Sequence, residues 1–391
     1  MKLPCAPINN ITLAFDSFKG SLNSAEVADA FEEGLHTVLP LCAVRKVRIA
    51  DGGEGTLEAL IDSVSGKYET VIVNDPIGRP VHARYGIIEE GDTAVIELAS
   101  ASGLTLLSHE ERNPMTTDTY GTGQLIAHAL HKGCRNILLC IGGSATNDAG
   151  VGLLRALGYR FIDIEGNELI GGGEVLQHIH KIDDTQVLPQ LSETQITLAC
   201  DVDNPLCGTN GAAHIFAPQK GASPDMVCEL DYGLRHFANI IRQFNGKDVS
   251  AIPGGGAAGG VGAALVAMLN VQLKSGIEMV LDTIHFEDTI KDCDLLVTGE
   301  GKLDRQTLMG KAPIGILHRA RKHNIPVIAI GGIVEECAEL DNCGFSSVLC
   351  VNDSDIPLPL AMRHDIAFDN VRRCGIKVGL NAINGRNDCS S

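Results

Sequence analysis

The sequence predicts an α/β protein of two domains, one of them split, and three observations carry that reading. Near both chain ends, β-branched apolar runs alternate with amphipathic helical stretches, the spacing of βα units joined by right-handed crossovers into a parallel sheet. Between them, runs at 67–73, 83–88 and 93–98 follow one another through turn signals without helices, as in an antiparallel or mixed section. Seven apolar runs also end in polar turns: 16–21, 51–56, 142–148, 201–205, 299–304, 331–332 and 352–355. Open parallel sheets bind ligands just past the carboxyl ends of their strands. The economical arrangement is a discontinuous Rossmann-like domain, 1–74 with 286–391, and an inserted mixed α/β domain, 75–285, with the active site in the cleft.

The elements follow in order. A strand at 11–15 precedes a capping box, Asn23 with Glu26, and a helix whose Val27, Ala30, Phe31, Leu35 and Val38 recur at helical spacing. A strand at 44–50 and a helix reaching about residue 65 come next. After the three mixed-section strands, a helix starts near Tyr120, a strand spans 136–141 and a helix 149–157. A strand at 195–200 leads to the 201–205 turn, and the Gly-rich stretch 251–262 opens an Ala-rich helix. The end of the chain repeats the opening rhythm: strand 294–298, helix 314–323, strand 326–330, helix 334–342, strand 347–351.

Composition narrows the function. With 391 residues, 44% hydrophobic and 20% charged, the chain reads as an ordinary globular protein. No Trp and 4% aromatics against 44 Gly imply an aliphatic core and many tight turns. A net charge of −18 argues against nucleic acid, whose phosphates need basic patches. No run approaches the roughly 20 apolar residues of a membrane span. The 13 cysteines are scattered without a CxxC pair, against a zinc site, and with no signal-peptide stretch they read as reduced, in a cytoplasmic protein. Cys140, Cys200 and Cys350 lie in apolar runs and are expected as small core residues.

Several stretches suit phosphate or metal chemistry. No P-loop exists: Gly66-Lys67, Gly246-Lys247, Gly301-Lys302 and Gly310-Lys311 lack the preceding glycine and following hydroxyl. Residues 254–259 match G-x-G-x-x-G, but Pro253 precedes them instead of a strand. A phosphate-binding turn at a helix N-terminus or plain close packing therefore compete with a dinucleotide site. Asp201 and Asp203 share one face of an extended backbone, fit to hold Mg²⁺ or act as a base, or simply to cap a turn. Glu300, Lys302, Asp304 and Lys311 mix both charges in one Gly-punctuated loop, suited to neutralising phosphate beside a metal, or to weak surface ion pairs. Segment 16–21, DSFKGS, offers hydroxyls and Lys19 at a helix start, an anion-binding geometry. The turn 51–55 holds three glycines around Glu54, which suggests close backbone approach.

Nine stretches in order resemble the type I glycerate kinase family: DSFKGS (16–21), ADGGEGT (50–56), ELASASGL (97–104), TYGTGQLI (119–126), IGGSATNDAGVG (141–152), ACDVDNPLCG (199–208), FAPQKGA (216–222), PGGGAAGGVGAAL (253–265) and TGEGKLDRQTLMGKAP (298–313). The resemblance implies ATP- and Mg²⁺-dependent phosphorylation of D-glycerate, at the 2-hydroxyl, in glyoxylate or sugar-acid catabolism. It leaves a homodimer open.

A kinase of that kind assigns roles by expectation. Asp201 or Asp203 would deprotonate the hydroxyl or hold the metal. Glu300 and Asp304 are further metal candidates, and Lys302 and Lys311 would neutralise phosphate charge. Gly254, Gly255, Gly256, Gly259 and Gly260 would cradle phosphates. Lys19 or Arg79 would pair with the substrate carboxylate, with Ser17, Ser144 and Asn147 as donors. A 3-phosphorylating kinase, a nicotinamide-dependent oxidoreductase and a non-catalytic metabolite-binding protein are the alternatives.

Overall fold

The computed structural model describes residues 8–53, 55–335, 337–353 and 356–388. Glu54, Ser354 and Asp355 of the predicted turns, and Cys5 and Cys389, lie outside the described residues. The strands are β1 (Asn10–Phe15), β2 (Ala43–Arg48), β3 (Lys67–Asn74), β4 (Pro80–Ile88), β5 (Thr93–Glu97), β6 (Asn136–Cys140), β7 (Arg160–Ile162), β8 (Lys181–Asp183), β9 (Gln195–Ala199), β10 (Val271–Lys274), β11 (Leu295–Leu303), β12 (Val327–Val334) and β13 (Ser347–Cys350). The chain folds as two compact units, residues 1–51 with 280–391, and residues 52–279.

The first unit holds a five-stranded sheet, order β13-β12-β11-β1-β2, with parallel pairing throughout. Its core is aliphatic with two phenylalanines at the centre: Leu13, Phe15, Phe31, Leu35, Val297, Ile328 and Val371 are all sealed from solvent. The helix Ser24–His36 starts on the expected capping box, Glu26 N donating to Asn23 Oδ1 and Asn23 N to Glu26 Oε2. That pair satisfies two donors that would otherwise be orphaned at the helix start.

The second unit holds a six-stranded sheet, order β10-β9-β6-β5-β4-β3. β3, β4 and β5 pair antiparallel and β5, β6, β9 and β10 parallel, the mixed section expected from the sequence. The unit begins at Gly52, earlier than residue 75, because β3 pairs along its whole length with β4 and the helix Thr56–Val64 packs on β4 and β5.

Two predicted turns are not turns. β11 runs straight through Glu300, Gly301 and Lys302, and β12 through Gly331 and Gly332, with Glu300 paired to Gly331 and Lys302 to Ile333. Their glycines read as turn punctuation in sequence. In the sheet, a Cβ at Gly299 would collide with the Ile330 carbonyl oxygen, so the strands need the bare backbone there. β12 accordingly absorbs Val334, and the expected helix shrinks to Ala338–Asn342. Cys140 is buried as expected, Cys200 is half-buried, and Cys350 is exposed at the end of the edge strand β13. No helix among the described residues is long and apolar enough to cross a membrane.

Candidate active site

In the first unit, the carboxyl ends of β1, β11, β12 and β13 open onto a cavity of about 260 Å³. Asp16, Ser17, Lys19, Ser21, Glu300, Lys302, Lys311 and Asn352 supply its polar lining. The 16–22 segment is held as a tight loop: Phe18 and Leu22 exchange backbone hydrogen bonds of 2.8 and 3.1 Å around Gly20, whose φ is +79°. This fixes Asp16 just past β1, where Ser17 N donates to its Oδ1 at 2.7 Å.

The acids carry the cost of burial. Asp16 is pushed up to about 7, first by desolvation and then by the charge of Asp51, against Ser17 N and Lys19. Glu300 is also raised, chiefly by burial, although Thr307 Oγ1 donates to its Oε1 at 2.6 Å and Lys311 stands 3.7 Å from its Oε2. Lys19 sits 3.5 Å from Asp51, whose charge raises the lysine. Asp304 behaves oppositely: burial pushes it up, but Lys302 at 3.1 Å and the Gln306 N–H hold it below its ordinary value. Buried carboxylates thus face exposed or half-exposed lysines across one cavity.

The second unit presents a different polar centre, in the turn after β6. Gly143 O accepts from Leu104 N, and Ala145 N donates to Ser102 O, which pins the turn to the segment after β5. Asp148 is wholly buried and accepts from Thr119 N and Oγ1, Gly150 N and Gly152 N. Lys220, also buried, donates to Ser144 Oγ and Thr146 O, both at 2.7 Å. Burial lowers Lys220 to about 7, with Asp148 opposing. Thr146 Oγ1 and both polar atoms of the Asn147 side chain are buried without a hydrogen-bond partner. Such atoms each cost about 1–3 kcal/mol unless something pairs with them.

Ser17, Lys19, Glu300, Lys302 and Lys311 come together at the first unit's cavity, with Asp304 paired to Lys302 beside it. Ser144 and Asn147 meet in the second unit's turn. Asp201 and Asp203 are exposed after β9, and Asp201 Oδ1 accepts from Gly276 N at the start of the helix Gly276–Thr283, so capping occupies it. Arg79 is not free for a carboxylate ligand. It donates to Asp75 Oδ2 at 2.6 Å, Glu111 Oε1 at 2.7 Å and Leu106 O at 3.3 Å, closing its own hairpin turn.

The glycine-rich stretch also departs from expectation. The amides of Gly255, Gly256 and Ala257 already donate to the carbonyls of Ile252, Asn204 and Gly254, so they offer nothing to a phosphate. The glycines serve close packing: a Cβ at Gly256 would strike Pro205 O, and one at Gly259 would strike Thr146 O. Ala258, Gly259 and Gly260 take left-handed φ values of 51, 71 and 102° to let the chain pass that turn. Gly259 and Gly260 therefore pack against the Thr146–Ala149 stretch, while Gly254 clears the Cys200 side chain.

Sequence reasoning passed over Asp16, Asp51 and Lys220 as site residues, although each lies in a motif it singled out. The signal in hand was the apolar strand before Asp16 and the apolar residues Phe216, Ala217, Pro218 and Ala222 around Lys220. Among the described residues no group of three or more His, Cys, Asp or Glu forms a protein-only metal cage.

The family model "Glycerate kinase family" matches residues 11–378. The chain is 45% identical to the glycerate 2-kinase of Escherichia coli, covering 96% of this chain and 99% of that one. It is 49% identical to the glycerate kinase of Haemophilus influenzae, covering 83% and 86%. A crystal structure from Salmonella typhimurium LT2, assigned as glycerate kinase 2, superposes with a TM-score of 0.86 at 41% identity, covering 98% of this chain and all of that one. The chain belongs to the glycerate kinase family, whose members are phosphotransferases.

Proposed function

We propose that this family member transfers a phosphoryl group from ATP to the 2-hydroxyl of D-glycerate, giving 2-phospho-D-glycerate, with Mg²⁺ as cofactor. The observation that carries the mechanism is the meeting of Asp16, Glu300, Lys19 and Lys311 at one cavity. Phosphoryl transfer asks a protein mainly for positioning and charge stabilisation. The name borne by the Escherichia coli relative supports the 2-hydroxyl.

Asp16 takes the hydroxyl proton. A carboxyl lifted to about 7 matches neutral pH far better than an ordinary aspartate, and base catalysis works best with such a match. This reading replaces Asp201 and Asp203 as the base, since both are exposed and Asp201 caps a helix. Lys19 and Lys311 neutralise charge that grows on the transferring group. Lys302 is tied to Asp304 and Glu335 and orders the rim.

The donor set fits a hard cation. Mg²⁺ is ordinarily held by one or two carboxylates, with waters and substrate phosphates completing six oxygens. Glu300, raised chiefly by burial, and Asp51, whose charge adds to that rise, supply the oxygens that would hold it, with Asp304 alongside. Bound there, Mg²⁺ would supply charge neutralisation and phosphate orientation. In the second unit, Ser144 and Asn147 donate to the anionic end of a ligand.

The test is ³¹P NMR of purified protein with D-glycerate, ATP and Mg²⁺. A 2-phosphoglycerate signal is expected. A 3-phosphoglycerate signal would overturn the regiochemistry, and no product from folded protein would overturn the activity.

A further inference from the structure

Lys220 is a buried cation with no opposite charge beside it. It ends the 3₁₀ turn Pro218–Lys220, is 2% exposed, and makes no ion pair among the described residues. Its partners are a hydroxyl and a carbonyl on one turn, Ser144 Oγ and Thr146 O. Asp148, the one charged group it feels, is saturated by four donors of its own. Ser144 is 8% exposed, and Asn147, three residues along, keeps both side-chain polar atoms buried and unpaired.

The hydrogen-bond inventory gives this pair a consequence. An ammonium only donates, so beside a charged Lys220 the Ser144 oxygen must accept and its own O–H proton must point elsewhere. Beside a neutral amine, that O–H can donate back to the lysine lone pair. The proton on Lys220 therefore decides whether Ser144 offers a donor to a ligand.

We propose that Lys220 is a positioning residue, which turns the Ser144 hydroxyl outward and makes the 144–147 turn a receiver for the anionic group of a ligand. The inference rests on the kinase reading for its ligands: the carboxylate of the hydroxy acid or a phosphate of the nucleotide. Docking of either anion favours the charged lysine, so the amine takes up one proton from solvent and no bond to carbon or phosphorus changes. Because burial sets Lys220 near 7, this uptake is measurable just above neutrality.

The experiment is titration calorimetry at pH 8 in HEPES and in Tris, two buffers of different protonation heat. D-glycerate alone and a non-hydrolysable ATP analogue with Mg²⁺ are titrated separately. Wild type is expected to take up a proton with one of the two, and which one identifies the anion received. Ser144→Ala, which leaves the buried lysine in place, should lose the uptake and weaken that ligand by about tenfold. Lys220→Met should do the same, and the double variant should be no weaker than either single one, since both remove one coupled unit.

Uptake that persists in Lys220→Met, additive losses, or no uptake by wild type that turns over glycerate would overturn the inference alone. Wild type that neither turns over nor binds D-glycerate would overturn the kinase reading, and this inference with it.

Discussion

The two units use opposite devices at the same address in the fold. Each places its polar residues past the carboxyl ends of parallel strands. In the first, acids are buried and lysines line the rim, so Asp16 and Glu300 are raised and wait for positive charge. In the second, the lysine is buried and its two acceptors, Ser144 Oγ and Thr146 O, are neutral, so the cation is lowered and waits for negative charge. The backbone differs in the same sense. A Cβ at Gly301, in the first unit's cavity, would meet Lys19 N at 3.4 Å, an ordinary contact, whereas Gly259 is pressed onto the Thr146 carbonyl at φ +71°. One site is tuned by charge in an open cavity, the other by a buried cation and tight backbone packing behind its turn.

The largest expected effect breaks the first device. Asp16→Asn should lower kcat by about 10³-fold, measured by coupled turnover at pH 7.5. It should also stabilise the fold. The folded value of Asp16, about 7, lies above the unfolded 3.8, so its contribution is fully present below 3.8 and is lost as pH rises through 7. The gain from Asn should therefore be larger at pH 8 than at pH 5 by an amount on the order of 2 kcal/mol in urea unfolding. Equal gains at both pH values would remove burial as the cause.

Gly259→Ala should be the most damaging single methyl in the second device. A Cβ at a left-handed φ against a fixed carbonyl should cost about 3 kcal/mol or more, while Gly301→Ala stays within about 1 kcal/mol. Comparable urea midpoints for the two would erase the contrast between a packed and an open site. Next in size, Lys19→Met and Lys311→Met should each lower kcat/KM about 10- to 100-fold with the melting temperature little changed, since neither side chain is core. Smallest on activity is Arg79→Met. It should leave kcat/KM within about twofold and lower the melting temperature, because buried Asp75 loses its partner. A large rise in the KM for glycerate would restore Arg79 to the substrate.

Strands, helices and the first capping box were legible because they depend on neighbours in sequence. Asn23 and Glu26 are three residues apart, and Val27, Ala30, Phe31 and Leu35 sit on one stripe whatever lies across from it. Glycines were read less well. Gly299, Gly331 and Gly259 look alike in a sequence, yet two lie inside paired strands and one clears a carbonyl from a distant turn. Arg79 reads in sequence as a carboxylate receptor, and in the fold Asp75 and Glu111 hold it.

What the sequence determined by itself is the α/β alternation, the mixed central section and the ordered motifs that place the chain among glycerate kinases, all written in local periodicity and residue identity. Which of the many acids and lysines have altered chemistry is set instead by the folded neighbourhood of each. Asp16 is raised and Lys220 lowered by the surfaces that exclude water from them, and those surfaces come from strands and loops far away in the chain. Desolvation is a property of the assembled neighbourhood, and no spacing of letters records it.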